Sequence, residues 1–269
     1  MLTLDWQGHH YRIDPQAIDL AIGLAFDGPQ PNTYGVPSAT SAAFEGSGFV
    51  GDVRRGGSVN FETYHLTPHC NGTHTECVGH LTRQRLAVHE LLTESWLTAT
   101  LVSVRPELAS STNEDYDPPL APADQVITRA ALQAALPAGL PTPALVLRTL
   151  PNTPAKQVRD YLAEPPAFFT LAAIQWLKAQ GMQHILVDLP SLDRLFDEGK
   201  LRNHRAFWGL APGQQEVDPA APPRGTITEM IYVPDAVPDG LYWLELQLAP
   251  FLSDAAPSRP RLFRLEALT

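Results

Sequence analysis

Residues Cys70-Asn71-Gly72-Thr73-His74-Thr75-Glu76-Cys77-Val78-Gly79-His80 constrain this chain more than any other stretch. They hold two imidazoles, a carboxylate and two thiols around a Gly-Thr pair. In an extended segment side chains alternate between faces, so residues two apart share a side. The spacing predicts that His74, Glu76, Val78 and His80 line one face. Gly72 is expected to bend the backbone just upstream and bring Cys70 to the same point. An imidazole, a carboxylate and a thiolate that converge make a site for zinc or a similar ion. A solvated loop rich in His, Thr and Asn has a similar composition. His65, His69, His74 and His80 fall close together among nine histidines. A metal site also needs ligands that the local run cannot supply. His69 adjoins Cys70 and would replace it as a ligand if the register shifted by one.

The run resembles the signature of the cyclase-like, metal-dependent hydrolases, a family that includes bacterial kynurenine formamidase and isatin hydrolase. That signature is His-x-Gly-Thr-His-x-Asp-x-Pro-x-His. Here Gly72, Thr73, His74 and His80 keep it, while Cys70 replaces His, Glu76 replaces Asp and Val78 replaces Pro. Val187-Asp188-Leu189-Pro190-Ser191-Leu192-Asp193 resembles the family's Gly-x-Asp-x-x-Ser-x-Asp segment. His204 and Ile227-Thr228-Glu229-Met230 follow in the family's order, as do the Gly240-Leu241-Tyr242 turn and Pro250. The resemblance implies a metal set of Cys70, His74, Glu76, His204 and Glu229, with Glu76 bridging two ions. It implies that His80 transfers protons and that Asp188 and Ser191 shape the substrate's surroundings. As a bland alternative, Asp188 and Ser191 cap a turn. A thiolate at position 70 would add negative charge and favour zinc over manganese.

The implied activity is hydrolysis of an amide-type C–N bond, in an aryl formamide or a cyclic amide, with one or two zinc ions and manganese as the other metal. Two alternatives stand beside it: a non-catalytic protein binding metal or a small ligand on the same fold, and a cyclase or dehydratase. The expected partners are a small-molecule substrate and, as is common in the family, further copies of the chain.

A chain of 269 residues can bury a substantial core. The resemblance runs through most of it and implies a single cyclase-like domain, 1–269. The formal charge of −10 argues against a nucleic-acid partner, because no basic patch is visible to meet phosphates. No apolar stretch is long enough for a membrane span. The N-terminus lacks the basic start and apolar block of a signal peptide, which points to the cytoplasm. In that compartment a Cys70–Cys77 disulfide is not expected, and Cys77 reads as a small buried apolar residue.

Residues 2–13 read as a hairpin with Gly8 near its turn. Residues 98–104, 144–150 and 184–189 read as strands. Residues 170–180 read as a helix, with Thr170 to cap its start and Gly181 its end, and residues 128–136 as another. Strand, helix and strand over 144–189 make a βαβ unit. The C-terminal third is strand-rich at 227–233, 241–248 and 261–268. The mixture is α/β, and the resemblance implies the swivelling β/β/α, cyclase-like fold: a mixed sheet or barrel-like core with flanking helices. Two proline-rich segments stand out. Residues 106–122 read as an exposed loop. Residues 209–225, between His204 and Glu229, read as an insertion that either decorates the surface or overhangs the site.

Overall fold

Gln7 and Gly8 take φ values of 48° and 78° in the computed structural model, which describes residues 2–136 and 142–268. Two left-handed residues in succession form the tight turn whose twist matches paired strands. They join β1 (Thr3–Trp6) and β2 (His9–Ile13) as the expected hairpin. The remaining strands of the main sheet are β3 (Ile18–Asp19), β4 (His74–Glu76), β5 (Trp96–Val104), β6 (Ala144–Thr149), β7 (His184–Val187), β8 (Thr226–Glu229), β9 (Gly240–Glu245), β10 (Ala255–Pro257) and β11 (Arg261–Ala267). Their order is β1-β2-β11-β9-β5-β6-β7-β8-β4-β10, with β3 alongside β11. The helices are α1 (Pro68–Asn71), α2 (Val88–Leu91), α3 (Arg129–Ala135), α4 (Leu171–Ala179) and α5 (Arg202–Trp208).

Strands β5, β6, β7 and β8 run parallel. A parallel strand covered on both faces reads as a continuous apolar run, and every residue of β6 and β7 is buried. Alternation splits them between two cores. Leu145, Leu147, Ile185 and Val187 pack with Ile174 and Leu177 of α4 and Phe207 of α5. Ala144, Val146 and Leu186 pack on the other side with Leu244 and Leu262. Thus β6, α4 and β7 form the expected βαβ unit. Thr170 caps α4 by accepting a hydrogen bond from Ala173 N, and Gly181 follows the helix at φ 83°. Thr128 caps α3 in the same way through Ala131 N. The fold is the expected mixed α/β sheet with few flanking helices.

Of the two proline-rich segments, 106–122 differs from its expected role, and 209–225 takes the surface alternative. The segment 106–122 is not simply exposed: Ala109 and Tyr116 are buried, and the Tyr116 hydroxyl donates to Asp193 Oδ1 at 2.6 Å. An aromatic ring inside a polar, proline-rich stretch anchored it where composition predicted solvent. The segment 209–225 lines none of the cavity that holds His204 and Glu229. Arg205 draws it aside by donating to Gln214 O at 2.6 Å, and the Trp208 indole donates to Gly225 O at 2.8 Å. Among the described residues, no helix is long and apolar enough to cross a membrane.

Candidate metal centre

Strand β4 lies between β8 and β10, and its register places His74 opposite Glu229 and Glu76 opposite Ile227. One face of this ribbon is polar but dry. Thr75 Oγ1 shares hydrogen bonds of 2.8 Å with Thr228 Oγ1 and with Ser258 Oγ. On the other face Glu76 and Glu229 line a cavity floor, with His74 buried beside Glu229, because cross-strand neighbours point the same way. The cavity is about 780 Å³ and is also lined by His69, Cys70, His80, Ser191 and His204. Tyr34, Pro190, Leu195, Phe196 and Leu201 supply apolar surface around it.

Extended geometry carries the motif only as far as Glu76. Residues Val78–Leu81 form a 3₁₀ turn, so His80 arrives by that turn and not by strand alternation. Close packing forces it: a Cβ on Gly79 would lie 2.4 Å from Leu86 O. Upstream, the chain bends at Gly72, which is itself extended at φ 169°. The reversal is made by α1, which Pro68 starts.

That single turn decides which neighbour meets the carboxylates. The ring of His69 sits between two of them, with Nδ1 3.0 Å from Glu76 Oε2 and Nε2 2.9 Å from Asp254 Oδ2. Successive helical residues point in directions about 100° apart. Cys70 therefore points differently from His69; it is buried at the wall of the same cavity and joins none of the clusters of candidate ligand atoms. Burial, and then the Glu229 carboxylate, push its thiol up to about 11. Burial pushes Cys77 up to about 12, and both cysteines are free.

Two clusters share Glu76. His69, His74 and Glu76 form one, and Glu76, His204 and Glu229 the other, with ligand atoms of each within 4.8 Å of one another. Glu76 Oε1 is 2.9 Å from His204 Nε2, and its Oε2 faces His69. Glu229 lies 3.4 Å from both His74 Nε2 and His204 Nε2. A third group, His69, His80 and Asp254, lies beside them, with His80 Nδ1 3.4 Å from Asp254 Oδ2.

Two histidines have their outer nitrogens engaged. His74 Nδ1 is 3.0 Å from Gly72 O, and His204 Nδ1 is 2.5 Å from Asp193 Oδ2. Both therefore direct Nε2 at the carboxylates. Asp193 is itself held by Tyr116 and by the backbone N–H groups of Asn203 and His204. Neither Asp193 nor Asp254 is singled out by sequence reasoning. Asp193 ends the 187–193 segment that carries the resemblance. Asp254 has no local signal at all; the pairing of β10 with β4 brings it in.

Charge is concentrated here. Burial disfavours ionised His204, but Glu76 and Asp193 outweigh it and raise its pKa well above the usual imidazole range. Burial likewise opposes charge on Glu76, yet His80 and His204 hold its carboxyl well below the usual range. For His69, hydrogen bonds to Asp254 and Glu76 overcome burial and lift it to about 10. Despite this pairing, His74 Nε2 is buried without a hydrogen-bond partner, and Glu76 Oε1 has only His204 Nε2 beside it at 2.9 Å. Leaving such an atom unpaired costs free energy. A cation among these nitrogen and oxygen atoms would satisfy it, so the residues fit the metal that the sequence resemblance implies.

The two substrate-contact candidates separate. Ser191 lines the cavity. Asp188 does not: its carboxylate is buried, accepts from Thr149 N and Oγ1, and pairs with Lys156 Nζ at 2.6 Å.

The sequence profile of the cyclase family matches residues 16–194. No curated protein matches the chain. Among solved structures, a predicted metal-dependent hydrolase from Bacillus stearothermophilus superposes with a TM-score of 0.59 at 15% identity, covering 92% of this chain and 98% of that one. Isatin hydrolase A from Labrenzia aggregata gives 0.59 at 14% identity, covering 93% and 94%. Isatin hydrolase A from Ralstonia solanacearum gives 0.56 at 15%, covering 92% and 91%.

Proposed function

Since the chain belongs to the cyclase family, we propose that it is a metal-dependent hydrolase of an amide-type C–N bond, in an aryl formamide or a cyclic amide. The observation that carries this reading is the pair of buried ligand clusters that share Glu76, one of which holds the orphaned His74 Nε2. His69, His74, Glu76, His204 and Glu229 would hold the metal. Glu76 would serve both clusters through its two oxygens. Three imidazoles and two carboxylates suit zinc, with manganese the alternative. When bound, the ion supplies Lewis-acid polarisation of a carbonyl and activation of water.

The protein's own groups do the rest. Asp193 holds His204 in one ring orientation, as outer-shell carboxylates do at metal sites. Nδ1 of His80 faces Asp254, which leaves Nε2 to pass a proton to the leaving nitrogen. The apolar surface of Pro190, Leu195 and Phe196 gives a flat aromatic substrate a wall to rest on.

The test is elemental analysis of protein purified without added metal, followed by a panel of aryl formamides, cyclic amides and esters with and without chelator. Bound zinc or manganese, with chelator-sensitive cleavage of an amide, is expected. Replacing His80 by Ala should leave metal content unchanged and abolish turnover. Turnover that survives complete metal removal would overturn the reading, as would full activity in the His80 variant.

A further inference from the structure

A second cavity of about 380 Å³ opens at the carboxyl ends of the parallel strands β5, β6 and β7. Open α/β sheets place ligands at that end. The residues just after each strand enter its wall: Arg105 after β5, Leu150 after β6 and Asp188 after β7. The buried Lys156–Asp188 pair forms one side. Lys156 Nζ also donates to Thr149 O and Oγ1 and to Asn152 Oδ1, so its donors are already committed.

The uncommitted groups are others. Arg105 has no ion-pair or hydrogen-bond partner among the described residues. Arg159 meets Glu164, which is 70% exposed at its side chain, and Thr153 at 3.4 Å, and its guanidinium lies over the Tyr161 ring, 5.9 Å from the ring centre. Tyr161 is 2% exposed and lines the cavity, yet its hydroxyl has no protein partner among the described residues. The rings of Pro106, Pro151, Pro165 and Pro166 also line the cavity. This chain is acidic overall, yet of the two guanidinium groups beside this cavity Arg105, which is exposed, has no acidic partner among the described residues, and Arg159 has only the exposed Glu164.

We infer that this cavity is a binding site for a small organic carboxylate. The carboxylate would lie between Arg105 and Arg159 and accept from the Tyr161 hydroxyl, while its hydrocarbon body covers the proline faces. Guanidinium forks match carboxylates in shape as well as charge. Inorganic phosphate would meet the cations but leave the apolar wall bare. The segment 188–191 separates the two cavities: Asp188 and Leu189 line this one, and Pro190 and Ser191 line the metal-site cavity. An assay must therefore tell the two apart.

The probe is 4-fluorobenzoate, followed by ¹⁹F NMR and calorimetry on the intact chain. The controls are 4-fluorobenzamide, inorganic phosphate, and the variants Arg105→Ala/Arg159→Ala, Arg105→Lys/Arg159→Lys and Tyr161→Phe. Saturable binding of the carboxylate is expected. The double Ala variant should lose affinity by roughly ten- to a hundred-fold, the loss of charge-assisted hydrogen bonds. The double Lys variant should recover part of it, and the neutral amide should bind weakly. Unchanged affinity in a double Ala variant that melts like the parent would place the ligand in the larger cavity and overturn the proposal. Absence of saturable binding, or phosphate binding more tightly than the carboxylate, would overturn it too.

Discussion

His69 and Cys70 are adjacent in the chain, yet only the imidazole meets Glu76 and Asp254. Alternation read from Glu76 backwards favours Cys70, because it assumes one extended segment. A single turn of helix resets the phase and puts the neighbouring imidazole beside Glu76. Replacing His69 by Ala should therefore lower metal affinity by tenfold or more, on the order of one lost ligand bond, whereas Cys70→Ser should retain it. Elemental analysis after dialysis against a weak chelator distinguishes them; metal lost from the serine variant alone would reverse the assignment. Alternation marks His74 and Glu76 in the sequence, while His204 and Glu229 are marked only by the family resemblance. Asp193, Asp254 and Tyr116 were not legible, since their roles exist only once distant segments meet. Tyr116 offers a second test. Its hydroxyl lies 2.6 Å from Asp193, which orients His204. Tyr116→Phe removes one charge-assisted bond and should cost about 1–2 kcal/mol in urea unfolding. A positioning role also predicts weaker metal binding, which a purely structural role would leave unchanged.

Elements with local causes were the ones that could be read in advance. The 170–180 helix has its apolar stripe, its threonine cap and its closing glycine within a dozen residues, and α4 formed over Leu171–Ala179. Continuous apolar runs announced β6 and β7 for the same reason. Thr170 makes the cap testable. Its hydroxyl accepts from Ala173 N at 3.2 Å and lies 2.6 Å from Glu114 Oε2. Thr170→Ala removes both contacts and should destabilise the fold by about 1–2 kcal/mol, the range of helix caps. Urea titration measures it, and a change under a few tenths would mean that tertiary packing alone fixes the helix start. Elements set by distant contacts were misread. The metal-binding motif looked like one long strand, but β4 spans only His74–Glu76 because Gly79 packs against Leu86 O. The 106–122 segment looked solvated because composition cannot show that Tyr116 has a buried acceptor waiting on another part of the chain.

At the scale of the whole molecule, acid sensitivity follows from what the sheet buries. His184 lies in β7 with 5% of its surface exposed, its Nδ1 2.8 Å from Thr226 Oγ1. Burial lowers its pKa to about 4 from an ordinary value of 6.5. A group depressed in this way favours the folded state above pH 6.5. That advantage is lost as the pH falls towards 4, because the unfolded chain takes up a proton that the fold resists. Linkage over this window amounts to roughly 2 kcal/mol between pH 8 and pH 5. His69 and His204 act in the opposite sense, since their raised pKa values favour the fold below pH 6.5 and lose that effect at higher pH. The slope of the parent protein therefore mixes both signs, and only a comparison separates them. His184→Gln removes the titration and keeps an amide to meet Thr226. The stability gap between parent and variant in chelator-treated protein should shift by roughly 2 kcal/mol from pH 8 to pH 5, with the variant gaining relative to the parent. Urea unfolding at the two pH values gives the number. A gap that does not change with pH would show that His184 is protonated in the fold, and that another group sets the acid limit of the sheet.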